Sequence, residues 1–107
     1  MTIISKVREK IISRDKLFLK ISQLKKNKMK VAFTNGCFDI LHLGHLEILT
    51  KSKEFGDRLI VAVNSDESVR KLKGKERPVN DFQTRSNMLA SFSFVDYVVE
   101  FIDAVSY

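Results

Sequence analysis

The sequence has no tryptophan, one cysteine (Cys37), one proline (Pro78) and only four glycines among its 107 residues. A single cysteine excludes an internal disulfide and suits a reducing cytoplasm. Without a proline-, glycine- or serine-rich stretch there is no linker, and the length fits one small domain. Internal repeats are also absent. No apolar run approaches the roughly 18–20 residues that a membrane span requires. The opening Met1-Thr-Ile-Ile-Ser-Lys lacks the long apolar core of a secretory signal, so a cytoplasmic protein is expected. What is present is ordinary for a folded domain, with 44% apolar and 30% charged residues.

Acidic residues are scarce at the start of the chain. Residues 1–30 carry ten Lys/Arg and two Asp/Glu, a balance of +8, against nine and eleven, or −2, over residues 31–107. Such an arm can bind a polyanion. It holds one aromatic, Phe18, and no aromatic interleaving, so a solvated helix face is the plainer reading. A nucleic-acid partner is not expected, nor is a membrane one.

Two textures divide the chain into a helical arm, 1–29, and an α/β domain, 30–107. Ile3, Ile4, Val7, Ile11 and Ile12 fall at helical spacing, as do Leu17, Phe18, Ile21 and Leu24. Ser13 or Asp15 is the candidate N-cap between these helices. From Lys30 the pattern alternates. Val31–Phe33 reads as a short buried strand followed by a polar turn at Thr34–Gly36, and Leu59–Val63 as a second strand. A helix is predicted over Leu43–Phe55 with Gly56 at its C′ position. Its apolar positions are Leu43, Leu46, Ile48 and Leu49. Ser65–Arg77 reads as a short helix and a loop. Asn80 with Gln83 resembles a capping pair opening a helix to about Phe92, and Val95–Phe101 is a third strand. This order predicts an α/β fold with a parallel sheet of about three strands and N-terminal helices. Ligands of such sheets bind beyond the carboxyl ends of the strands. Two polar clusters, Thr34–His45 and Asn64–Asp66, fall there.

The first cluster carries the chemistry. His42 and His45 stand three apart around Gly44 at a helix start, where unpaired amides and the dipole favour an anion. A nucleotide phosphate is the expected ligand. The imidazoles can donate to phosphate oxygens, and a protonated ring would also offset charge. Gly36 allows a tight turn and Gly44 close approach of a phosphate to the amides. Two histidines supply only two metal ligands and no third is evident, so no metal site is expected. Cys37 has no His/Asp constellation that would make it a nucleophile, and reads as a packed turn thiol. Asp39 either binds a substrate hydroxyl or braces the turn. The run Arg70-Lys-Leu-Lys-Gly-Lys-Glu-Arg77 supplies a basic loop that closes over a triphosphate, with Lys73 and Arg77 as candidates; Arg85 in the next helix is either a further phosphate ligand or a salt-bridge residue.

Gly36-Cys-Phe-Asp39 followed by His42-Leu-Gly-His45 resembles the G-x-F-D-x-x-H-x-G-H pattern of the cytidylyltransferase-like nucleotidyltransferases. The strings Phe33–His42, Gly56–Asp66, Leu72–Gly74 and Arg77–Asn80 are similar to one branch, the D-glycero-β-D-manno-heptose 1-phosphate adenylyltransferase (ADP-heptose synthase) domain. The similarity runs from about Ser13 to Phe101. It implies a Rossmann-like fold and transfer of AMP from ATP to a heptose 1-phosphate, with release of pyrophosphate and Mg²⁺ assisting. The product would enter lipopolysaccharide or another bacterial surface glycan. On this resemblance His42, His45 and Lys73 are catalytic. Thr34, Asn35, Gly36, Cys37, Phe38, Asp39, Gly44, Asn64 and Asp66 line the nucleotide and sugar pocket. A glycerol-phosphate-type cytidylyltransferase and a non-catalytic nucleotide-binding module are the alternatives.

Members of that family continue into a fourth strand with a Lys-Gly-Gly-Asp-like motif, a fifth strand and a Ser/Thr-rich turn, and some carry a sugar-kinase domain. None of these occurs before Tyr107, so the domain is expected to be incomplete. In the family the first strand lies in mid-sheet. Here Val31–Phe33 would be left as an apolar edge. The expectation is that the N-terminal helices or a second chain, in a homo-oligomer, cover it.

Overall fold

Leu59–Val63, an apolar run without alternation, lies inside the sheet and is buried on both faces. The computed structural model describes residues 1–102. Its elements in chain order are α1 (Ile3–Glu9), β1 (Ile11–Ile12), α2 (Arg14–Lys26), β2 (Val31–Gly36), α3 (Leu43–Glu54), β3 (Arg58–Asn64), α4 (Asp66–Lys73), α5 (Phe82–Ala90) and β4 (Tyr97–Phe101). The sheet is wholly parallel, in the order β1-β4-β3-β2. Gly36 pairs with Val63 and Val63 with Glu100, so the three main strands end in one row.

Each face of the sheet has its own core. Leu59, Val61 and Val63 pack with Ala32, Leu49 of α3, and Leu89 and Ala90 of α5. Ile60, Ala62 and Val99 pack on the other side with Ile12 and Leu17, bordered by Ile21 and Val31. Parallel strands joined through helices leave the connections at the strand ends. The turns after β2 and β3 therefore meet on one rim.

Several elements differ from the sequence expectations. The first helix stops at Glu9, and Ile11–Ile12 pair with Val98 and Val99 as a fourth strand. Hydrophobic spacing favoured a continuous helix, but the edge of β4 offers these two β-branched residues a ladder. The first 29 residues thus contribute a strand and a helix to the same sheet. Ile3 and Ile4 do not join the core and stay 84% and 49% exposed. Ser13 is the N-cap of α2, its hydroxyl accepting from the Lys16 amide. Thr34–Gly36 continues β2 instead of turning. Of the apolar positions in α3 only Leu49 is buried. Asp81, not Asn80, caps α5, its carboxylate accepting from the Thr84 amide, and α5 ends at Ala90. The third long strand begins at Tyr97, not Val95.

Gly56 follows α3 as expected, but its φ is not left-handed. It is glycine for space, because a Cβ there would come within 2.7 Å of the Ala32 backbone nitrogen. The expectation that the N-terminal helices cover the outer edge of β2 fails. Leu17 and Ile21 of α2 pack on a face of the sheet, α1 packs near α5, and Phe33 is 55% exposed. Among the described residues no strand pairs with that edge.

Candidate active site

β2 delivers the chain to the rim at Gly36, and the next residues turn back sharply. Phe38 sits there at φ +50°, a left-handed conformation unusual for a bulky residue, and is nevertheless buried. Its ring lies against Gly36, where a Cβ would be 3.0 Å from the ring edge. The other side of the ring system meets His45, with centroids 5.4 Å apart.

His42 and His45 begin α3 by capping each other. The His42 Nδ1 accepts from the Gly44 amide at 3.1 Å, and the His45 Nδ1 accepts from the His42 amide at 3.2 Å. This is a capping box built from imidazoles in place of the usual hydroxyl and carboxylate. It fixes the tautomer. A nitrogen that accepts from an amide bears no proton, so each neutral ring carries its hydrogen on Nε2. Neither Nε2 has a protein partner among the described residues. The rings lie 4.0 Å apart, inclined by 31°. Burial, followed by the neighbouring His42 and the Lys73 charge, lowers the His45 pKa below its usual value. His45 is therefore a neutral donor at neutral pH, and Lys73 and Arg77 set fixed charge beside it. Gly44 has a role different from that expected. A Cβ on it would come within 2.9 Å of the His42 Cε1, so glycine lets the imidazole fold back over the helix start.

That charge comes from the end of α4 and the segment after it. Ser65 caps that helix through the Ser68 amide, and Gly74, at φ +114°, ends it immediately after Lys73. Arg77 then bonds Asp39 at 2.8 Å. Asp39 is buried, and its two oxygens also accept from the Val79 and Asn80 amides at 3.0 Å each. The Asn80 side chain donates back to the Asp39 carbonyl at 2.8 Å. Burial would push the Asp39 carboxyl up, but the Asn80 and Val79 amides and the Arg77 guanidinium outweigh it and lower its pKa to about 2. Of the two readings of Asp39, the geometry is that of the brace.

Cys37, Phe38, Asp39, Ile40, His42, His45, Lys73 and Arg77 line one cavity of about 330 Å³. It opens at the carboxyl rim, where parallel sheets bind ligands. Two imidazole N–H donors and two cations lining one concavity suit an oligophosphate. Among the lining residues the only carboxylate is Asp39, and it is committed to Arg77, Val79 and Asn80. Among the described residues no three His, Cys, Asp or Glu side chains converge on a metal position.

Other sequence candidates lie outside the cavity. Thr34, Asn35 and Gly36 are strand residues, and Gly44 lies beneath His42. Asn64 is buried, Asp66 pairs with Arg85 at 2.6 Å, and Arg85 is itself buried, so of its two readings the phosphate ligand gives way to the salt-bridge residue. Sequence reading missed Asn80 as the partner of Asp39. Its only signal was the polar residue closing Arg77-Pro-Val-Asn80.

Comparison with known proteins bears on the family and the fold. The cytidylyltransferase-like family matches residues 33–105. A bifunctional protein HldE from Helicobacter hepaticus is 53% identical over 95 residues, which are 89% of this chain and 19% of that protein. One from Campylobacter jejuni is 54% identical over 93 residues, 87% of this chain and 20% of that protein. The chain thus spans about a fifth of the length of these relatives. The crystal structure of a lipopolysaccharide core biosynthesis protein from Thermoplasma volcanium superposes with a TM-score of 0.64 at 34% identity. It covers 68% of this chain and 58% of that one. No helix among the described residues is long and apolar enough to cross a membrane.

Proposed function

From the premise that the chain belongs to the cytidylyltransferase-like family, we propose that it is an adenylyltransferase that moves AMP from ATP to a heptose 1-phosphate and releases pyrophosphate. One observation carries this reading: the mutually capped histidines, each with Nδ1 spent in the cap and Nε2–H left to donate, line the same cavity as Lys73 and Arg77. An oxygen of the sugar phosphate attacks the α-phosphorus while the bond to the β-phosphate oxygen breaks. Negative charge grows on the departing pyrophosphate. His42 and His45 donate to its oxygens, and Lys73 and Arg77 offset the charge. No covalent nucleophile is needed, because the protein aligns and stabilises the reactants.

The cavity offers Mg²⁺ no uncommitted carboxylate. The ion belongs to the substrate, carried in on ATP, and no three His, Cys, Asp or Glu side chains among the described residues converge on a position for it. Similarity to the HldE proteins and to the lipopolysaccharide core biosynthesis protein supports a heptose acceptor in surface-glycan synthesis, and an ATP donor fits a cytoplasmic reaction. The open outer edge of β2, with Phe33 exposed, favours assembly with a second copy.

The family's description, cytidylyltransferase-like, supports CTP as donor in a second reading, a glycerol-phosphate-type cytidylyltransferase. Pyrophosphate release measured with ATP and heptose 1-phosphate, beside CTP and glycerol 3-phosphate, separates the two. Turnover with the first pair is expected. Turnover only with CTP would overturn the assignment, and nucleotide binding without release from any pair would leave a binding module.

A further inference from the structure

Arg85 is the largest fully buried side chain of the domain. A guanidinium has five N–H donors and stays charged inside a protein. Four of the five are spent. Nε donates to the Asn80 carbonyl at 2.9 Å, and Nη1 to the Cys37 and Asn64 carbonyls at 2.8 and 2.7 Å. Nη2 donates to the Asp66 carboxylate at 2.6 Å. Those four acceptors belong to three separate connections: the turn after β2, the turn from β3 into α4, and the end of the segment before α5.

We infer that Arg85 is the positioning residue of the phosphate site, setting Lys73 opposite the histidines through its hold on the start of α4. The inference rests on the proposed triphosphate site but not on the transfer reaction. The lever is α4 itself. It starts at Asp66, which Arg85 holds, and ends at Lys73, which borders the cavity. Eight residues make a helix about 12 Å long, so a tilt of about 10° at Asp66 moves the far end by about 2 Å, beyond the tolerance of a hydrogen bond. The same guanidinium bonds the Cys37 carbonyl, just before Phe38 and the histidine turn. One side chain therefore references both walls of the cavity to each other.

Arg85→Lys keeps the charge and removes the fork, and Asp66→Asn loosens only the α4 arm at a half-exposed carboxylate, a change the fold should tolerate. Calorimetric binding of inorganic tripolyphosphate is the readout, made with and without Lys73→Ala. Coupled residues show non-additive effects of this kind. With Lys73 present, Asp66→Asn should weaken binding roughly fivefold to tenfold. In the Lys73→Ala background it should weaken binding little further. Equal losses in both backgrounds, no loss in either, or a wild-type chain that does not bind tripolyphosphate would each overturn the inference. A chain that shows the coupling yet releases no pyrophosphate would overturn the transfer reading and leave Arg85 in its role.

Discussion

The two walls of the cavity are built by different means. The histidine wall is local: its two defining bonds join residues two and three apart, within the first turn of α3. The cationic wall is assembled at long range. Arg77 reaches Asp39 across 38 residues, and Arg85 reaches Cys37 across 48. A local cap forms wherever the helix forms, whereas the cationic wall exists only once the sheet has brought its turns together. The site thus pairs donors set by sequence neighbours with charges set by the whole fold.

Substitutions that separate the walls test this contrast. The largest effect is expected in the local wall. His42→Ala removes a donor from the departing pyrophosphate and should slow its release on the order of 100-fold or more. The same change removes an N-cap, which is worth only about 1 kcal/mol of stability. Steady-state rates beside thermal melts measure both, and a loss of rate no larger than the loss of folded protein would contradict the catalytic role.

In the other wall the order is reversed, and stability suffers first. The Asp39 pKa, lowered to about 2 from an ordinary value near 3.8, corresponds to about 2 kcal/mol. Asp39→Asn should lower stability by about that much at pH 7, and denaturant titration would show it. Because the folded pKa lies below the unfolded one, this contribution is present above about pH 4 and disappears as pH falls towards 2. Wild type should therefore lose stability over that interval, while the Asn variant should not show this component. Parallel acid profiles for the two would refute the brace.

The smallest effect is expected at Gly44. Alanine there drives a Cβ towards the His42 ring and should turn the imidazole off its cap, reducing turnover roughly tenfold, or about 1.4 kcal/mol, with little change in melting temperature. An unchanged rate would mean that the ring accommodates the methyl in place.

The same contrast explains what could be read from the sequence. His42, Gly44 and His45 announce themselves because their chemistry depends on spacing along one helix. The parallel strands were legible because Leu59–Val63 is apolar throughout. Arg85 left a phosphate ligand and a salt-bridge residue both open, because a sequence does not show the three carbonyls that converge on it. Asp39 left two readings open for the same reason, since its amide donors lie 40 and 41 residues away. The strand at Ile11–Ile12 was hidden by helical spacing that continued past the real end of α1.

The most direct test of the mutually capped pair is nitrogen-15 NMR of the two imidazoles at neutral pH, before and after adding ATP. Both rings should begin with Nδ1 unprotonated and hydrogen on Nε2, and ATP should shift both Nε2 signals. Rings protonated on Nδ1, or Nε2 signals that ATP leaves in place, would contradict the account.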